Sequence, residues 1–398
     1  MRVALTDDQQ ALRRELRGYF AELITPERRT ALSAATGEFG EGGVYQDVVR
    51  QMGQDGWLGI GWPEEYGGQN RSMVEQLIFS DEAAIAGAPV PHLTLNTVGP
   101  TIMRFGTDEQ KREFLPAIVK GEMHFSIGYS EPAAGTDLAN LKTRARREGS
   151  GQSAEFVING QKMWTSLIQY ADYVWLAART DPDLPRHKGL SIILVPTDAP
   201  GFSYTPVHTL AGVSTSATYY EDVRVPVGNL VGELNGGWPL MTNQLNHERV
   251  ALTSAAPLVH AVAQVREWAQ ETKNPDGSRV VDAEWVQVLL GRAHARVEVL
   301  SLMNWKIASS AAEDLSPADA SATKVYGSEL AVEVYRSLME IVGPNAAIKA
   351  DSPAAVLQGR LERYHRTSLV MTFGGGTNEI QRDIIGVVGL GLPHAKRS

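Results

Sequence analysis

The chain has 398 residues, 43% hydrophobic and 21% charged, which exceeds one compact core and suits two or three packed domains of a soluble globular enzyme. Its net charge of −9, with no basic block, argues against nucleic acid as a partner, and the absence of cysteine excludes disulfides, thiolate metal ligands and a thiol nucleophile. No apolar run approaches the ~20 residues of a membrane span, and the polar pattern after Met1–Thr6 is not that of a signal peptide, so the expected location is cytoplasmic.

Residues 1–122 read as helices. Thr6-Asp7-Asp8-Gln9 has the form of a capping box, and Leu12, Leu16, Tyr19 and Phe20 follow at helical spacing. Thr107 to Gln110 repeats the start signal before Phe114, Leu115 and Ile118, while the glycines and Pro63 between Gly59 and Gly68 interrupt the helices. Residues 123–232 change texture. Short runs rich in β-formers (Phe125 to Tyr129, Phe156 to Ile158, Tyr173 to Ala178, Leu190 to Val195, Tyr219 to Val225) alternate with turn residues, as in a small β-barrel or sandwich. Asn159-Gly160, between two apolar runs, predicts a hairpin turn. Residues 233–398 return to helical spacing, in segments near 238–272, 282–312, 317–342, 353–372 and 377–389. Pro317 suits a helix start and Gly343-Pro344 a stop, and Lys273 to Arg279 reads as a mobile connection. The fold class is α+β: helices, a β-domain, then a helical bundle, an order that suits a ligand held between the last two.

Three strings could carry chemistry. Ile127 to Asp137 ends a strand in a loop of small and hydroxyl-bearing residues (Ser130, Gly135, Thr136) that can hydrogen-bond a flat heteroaromatic ring or a phosphate; taken alone it reads more readily as a β-turn with Asp137 capping nearby backbone. Asn159 to Ser166 places Trp164 before two hydroxyls, Thr165 and Ser166. An indole can pack on a ring system while a hydroxyl bonds a ring nitrogen, but a lone Trp is more often core. Phe373 to Arg382 has three glycines that let backbone approach a ligand, or else forms an inter-helix turn capped by Thr377.

In this order and on these element types, the three strings resemble the acyl-CoA dehydrogenase family along essentially the whole chain. Tyr129 departs from the smaller aliphatic residue usual there. The resemblance implies an N-terminal helical domain, a central β-domain, a C-terminal four-helix bundle, and FAD as cofactor. It implies that Tyr129 and Ser130 border the flavin, with Gly135 in the same loop, and that Thr136 lies near both flavin and the CoA pantetheine. Trp164, Thr165 and Ser166 would contact the isoalloxazine, and Thr377 and Glu379 its ribityl and phosphate portion. The likeness is greatest to actinobacterial subunits that dehydrogenate steroid side-chain acyl-CoAs, through Gln244 to Val250 and Phe373 to Gln381. Straight- or branched-chain fatty acyl-CoA is the alternative substrate, and an electron-transfer flavoprotein the implied acceptor.

The reaction needs a base for the α proton, and a buried carboxylate beside the thioester serves. The family's usual glutamate position is Gly375 here, which keeps only its backbone N–H to polarise the thioester carbonyl. A minority of the family places the base before an arginine on the bundle, and Glu248-Arg249 occupies that place, so Glu248 is the expected base, with Asn246 and Arg249 holding substrate. The family's Arg-x-x-Phe-Gly string is missing from Thr272 to Arg279. Its Gln-x-x-Gly-Gly-x-Gly string is altered at Glu340 to Ala346, where Glu340 repels phosphate and Pro344 removes a donor. These departures imply an α2β2 heterotetramer with a homologous acyl-CoA dehydrogenase subunit. The competing readings are a non-catalytic subunit that only completes its partner's site, and a relative that reoxidises with O₂.

Overall fold

The computed structural model describes residues 4–33, 43–212, 214–242, 253–310, 316–350 and 352–393. The N-terminal helices are α1 (Asp7–Leu23), α2 (Pro26–Ser33), α3 (Val44–Gln54), α4 (Met73–Ala86), α5 (Gly99–Phe105) and α6 (Asp108–Val119). Both capping boxes read in the sequence form. Thr6 Oγ1 accepts from Gln9 N at 3.2 Å while Gln9 Oε1 accepts from Thr6 N at 3.0 Å, and Thr107 and Gln110 repeat the exchange. Each box satisfies two of the amides a helix start leaves open. Leu12, Leu16 and Phe20 then point into the core from one stripe of α1. Glu82 of α4 is buried and receives Arg13 and Arg17 of α1, at 2.8 and 2.9 Å, which locks the two helices side by side.

The central strands are β1 (Phe125–Gly128), β2 (Arg144–Glu148), β3 (Glu155–Ser166), β4 (Tyr173–Arg179), β5 (Leu190–Pro196), β6 (Phe202–His208), β7 (Ser214–Pro226) and β8 (Leu230–Val231). They join in one mixed sheet of order β6-β7-β3-β2-β4-β5-β8, with β1 parallel to β4. β4 is apolar without interruption because both its faces are covered. Trp175 and Ala177 pack on the N-terminal helices, and Val174, Leu176 and Ala178 on the opposite side with Phe156, Ile193 and Tyr220.

Asn159-Gly160 does not turn the chain: β3 continues through it, with a shift of register against β7 between Ile158 and Gly160. A Cβ on Gly160 would lie 2.6–2.8 Å from Thr143, so the glycine permits close approach of the neighbouring backbone. Asn159 instead ties β3 to β7, its amide donating to Asp222 Oδ1 at 2.8 Å and its carbonyl oxygen accepting from Asp222 N at 3.0 Å.

The bundle comprises α7 (Ala256–Glu271), α8 (Glu284–Ala308), α9 (Pro317–Val342), α10 (Arg360–Ser368) and α11 (Asn378–Ile384). The single segment expected over 238–272 is divided. Helical residues end the described stretch at 242, and a new helix begins at Ala256 after a non-helical Thr253-Ser254. Asn304 holds that junction, donating to Thr253 O and accepting from Ala255 N, both at 3.0 Å, so the backbone bonds there to α8 rather than to its own turn. Lys273 to Arg279 forms a closed turn in which Asn274 N donates to Ser278 O at 2.8 Å. Val286, Leu290, Val297 and Leu300 of α8 enter the bundle core, while Trp285, Val288, Val299 and Leu302 stay exposed on its other side.

Candidate functional site

The first two strings are stapled together by a buried ion pair. Lys162 of β3 is wholly buried, and its Nζ donates to Tyr129 O at 3.1 Å and Glu131 Oε1 at 2.8 Å. Glu131 also accepts from the backbone N of Lys142 at 2.7 Å and of Thr143 at 2.8 Å. Burial pushes the Lys162 amine down to about 8, against the pull of Glu131. Burial pushes Glu131 up, but Lys162 and the bonds from Thr143 outweigh it and hold the carboxyl below its ordinary range. Both groups are therefore charged at neutral pH. Met163 N donates to Ser130 O at 2.8 Å, so the loop after β1 runs beside the end of β3.

From this base the loop projects. Gly135, Thr136 and Asp137 are exposed, Asp137 meeting Arg186 at 3.1 Å. Tyr129 differs from its fellows: it is buried, and its hydroxyl accepts from Trp175 Nε1 at 3.1 Å. Its side chain thus anchors the loop to the sheet.

On β3, the register with β7 shifts between Lys162 and Thr165. At that irregularity Trp164 has φ 66° and is 56% exposed, an indole carried outward by a left-handed residue, so it is not core. Thr165 is buried, its hydroxyl 3.5 Å from that of Thr218. Ser166 is exposed and pairs across the ladder with Thr215, whose buried hydroxyl has no partner. An exposed aromatic face beside one exposed hydroxyl and an orphaned buried one suits a planar, hydrogen-bonding heteroaromatic, so these residues fit the isoalloxazine of FAD.

The third string sits on the bundle. Gly374 N donates to Val370 O at 2.8 Å, Gly375 and Gly376 have φ 67° and 93°, and Thr377 caps α11 by accepting from Ile380 N at 3.3 Å. Glu379 is exposed on the first turn. The buried Lys324 of α9 donates to Gly376 O at 2.8 Å and Asn378 Oδ1 at 2.7 Å. Neither Lys162 nor Lys324 stands out in the sequence as a site residue, because a lysine on a strand or helix face is ordinarily solvated.

Asn246, Glu248 and Arg249 lie outside the described residues. The chain just beyond them is anchored. Ser254 Oγ donates to Asp81 Oδ1 at 2.6 Å, and a Cβ on Gly327 of α9 would come 2.8 Å from Thr253. Gly327 is less than one turn along α9 from Lys324, so Thr253 and the glycine loop meet α9 at the same height. Burial pushes the Asp81 carboxyl up to about 6, with the Ser254 hydroxyl opposing it.

The chain matches the acyl-CoA dehydrogenase N-terminal domain over residues 6–122, the middle domain over 126–223 and the C-terminal domain over 235–390. It belongs to the acyl-CoA dehydrogenase family and is an oxidoreductase acting on CH–CH groups. It is 64% identical to acyl-CoA dehydrogenase FadE26 of Mycobacterium tuberculosis over 404 residues, covering 100% of both chains, and 45% identical to FadE29 of that organism, again over 100% of both. Among solved structures it resembles a chain of the ChsE4–ChsE5 complex from Mycobacterium tuberculosis (TM-score 0.93, 64% identity, 99% of this chain and 100% of that one). It also resembles a chain of the Tcur3481–Tcur3483 steroid acyl-CoA dehydrogenase (TM-score 0.92, 48% identity, 99% and 100%). Among the described residues no helix is long and apolar enough to cross a membrane.

Proposed function

We propose that the chain, with FAD, converts a steroid side-chain acyl-CoA to the trans-2-enoyl-CoA, using Glu248 as base, within a heterotetramer. The observation that carries the assignment of the base is the glycine loop: the position from which the family's usual glutamate acts is Gly375, and Thr253, five residues after Glu248 in the chain, meets the same stretch of α9 as that loop. Glu248 takes the α proton as the C–H bond breaks. Gly375 N–H faces the thioester oxygen, where negative charge gathers. FAD, when bound, supplies the acceptor for the β hydrogen and its electron pair. Trp164 and Ser166 orient the ring, and Asn246 and Arg249 hold the thioester beside it.

The steroid substrate and the paired subunit are supported by the relatives, whose structures are described as a complex of two chains and as a steroid enzyme. The local structure agrees. Arg279, one of two cations in the altered 272–279 stretch beside Lys273, is spent on Asp282 at 2.7 Å, and Glu340 shares with Glu284 a cleft of about 360 Å³ whose like charges would repel phosphate. The test is Glu248→Gln in the complex with the homologous partner, beside the lone wild-type chain. Loss of about 10³-fold or more in kcat, with flavin absorbance retained, is the expected result. Unchanged kcat overturns the base, and a lone chain with tight flavin and full turnover overturns the heterotetramer.

A further inference from the structure

We infer that Lys324 is a positioning residue that aims the free backbone donors of the glycine loop at the thioester oxygen; this rests on the proposed place of Gly375 beside the thioester. The peptide planes next to the two that carry the Gly375 and Gly376 N–H groups are clamped. Before them, Gly374 N–H is bonded to Val370 O at 2.8 Å, and after them the carbonyl of Gly376 is drawn to Lys324 at 2.8 Å. Between the clamps, neither Gly375 N–H nor Gly376 N–H donates to any acceptor among the described residues.

Two successive unused donors at left-handed glycines are what an oxyanion site needs, provided that they cannot swing away. A glycine pair has no side chain to limit its rotation, so the limit comes from its ends and from Gln381, whose Nε2 donates to Gly375 O at 3.5 Å. Lys324 supplies it at one end. The lysine is itself held by Asn378 Oδ1 at 2.7 Å, and the Asn378 amide donates to Ser328 Oγ at 3.0 Å and Glu329 Oε1 at 3.1 Å. Lys324 and Ser328 are one turn apart on α9, so the clamp is referred to a helix that is itself core. With its carbonyl turned to the ammonium, the plane between Gly376 and Thr377 cannot flip, and the ammonium adds positive potential behind the donors.

The measurement separates carbonyl recognition from binding of the rest of the ligand. A 2-enoyl-CoA thioester and the CoA thioether of the same chain, which lacks the carbonyl oxygen, are titrated calorimetrically into the flavin-loaded complex with the partner. The wild-type complex is expected to prefer the thioester by about tenfold, the worth of one good hydrogen bond to developing charge. Lys324→Met is expected to abolish that preference and to leave thioether affinity and flavin content unchanged. Lys324→Gln, shorter and uncharged but still a donor, replaces it should the methionine chain not fold, with the same expectation. Leu330→Ala, a cavity elsewhere in α9, is expected to lower stability and keep the preference. A preference that survives without the Lys324 ammonium overturns the inference, as does its loss in Leu330→Ala. A wild-type complex that does not distinguish the two ligands overturns the place given to Gly375 instead.

Discussion

Asp81→Asn should make the protein more stable at neutral pH. Asp81 sits on α4 against the Thr253-Ser254 junction, and its carboxyl accepts from Ser254 Oγ at 2.6 Å. Burial raises it from 3.8 to about 6, Glu82 repels it, and Ser254 and Arg13 oppose the rise. A carboxyl raised on folding keeps its proton longer in the folded chain than in the unfolded one. Stability is then fully present below pH 4, falls as pH climbs from 4 to 6, and stays reduced above 6. About two pH units at 1.4 kcal/mol each put the deficit near 3 kcal/mol. Asparagine cannot ionise, and its carbonyl oxygen still accepts from Ser254. Urea melts of wild type and Asp81→Asn should therefore nearly coincide at pH 4 and separate by about 2–3 kcal/mol in favour of the variant by pH 7.5. A gap that does not change with pH, or a variant weaker at pH 7.5, refutes the reasoning.

The staple between the first two strings predicts the opposite response. Lys162→Met leaves Glu131 buried with only its two backbone donors and should cost about 3–5 kcal/mol in denaturant melts, most of it recovered in Lys162→Met/Glu131→Gln, since what destabilises is the unpaired charge. Trp164→Gly should be neutral or stabilising by up to about 1 kcal/mol, because the indole is exposed and its backbone left-handed. The same variant should weaken flavin binding by about tenfold in a fluorescence titration, and equal affinity would count against Trp164 as the ring's neighbour.

Much of the fold can be read from local signals because those signals act locally. Thr6, Thr107 and Ser316 cap the helices they precede, and the apolar run of β4 marks a strand covered on both faces. Asn159-Gly160 misleads for a non-local reason. The glycine that can turn a hairpin is here required by Thr143, and Asn159 has a partner across the sheet in Asp222. Trp164 cannot be assigned to core or surface from sequence, since its exposure follows from a register shift between β3 and β7. Lys324 is illegible for the same kind of cause: its acceptors lie about fifty residues on, and no periodicity announces a buried ammonium.

The staple at Glu131 and Lys162 also binds the histories of two stretches of chain. A lineage that altered either residue alone would pass through a protein with a stranded charge sealed inside the sheet, so drift at one position is checked until the other follows. The tip at 132–137 holds no buried charge: Asp137 meets Arg186 at an exposed contact, and Pro132 and Ala133 are exposed. A single change should therefore be tolerated more readily at the exposed Pro132 and Ala133 than at the root, where each needs a second to match it.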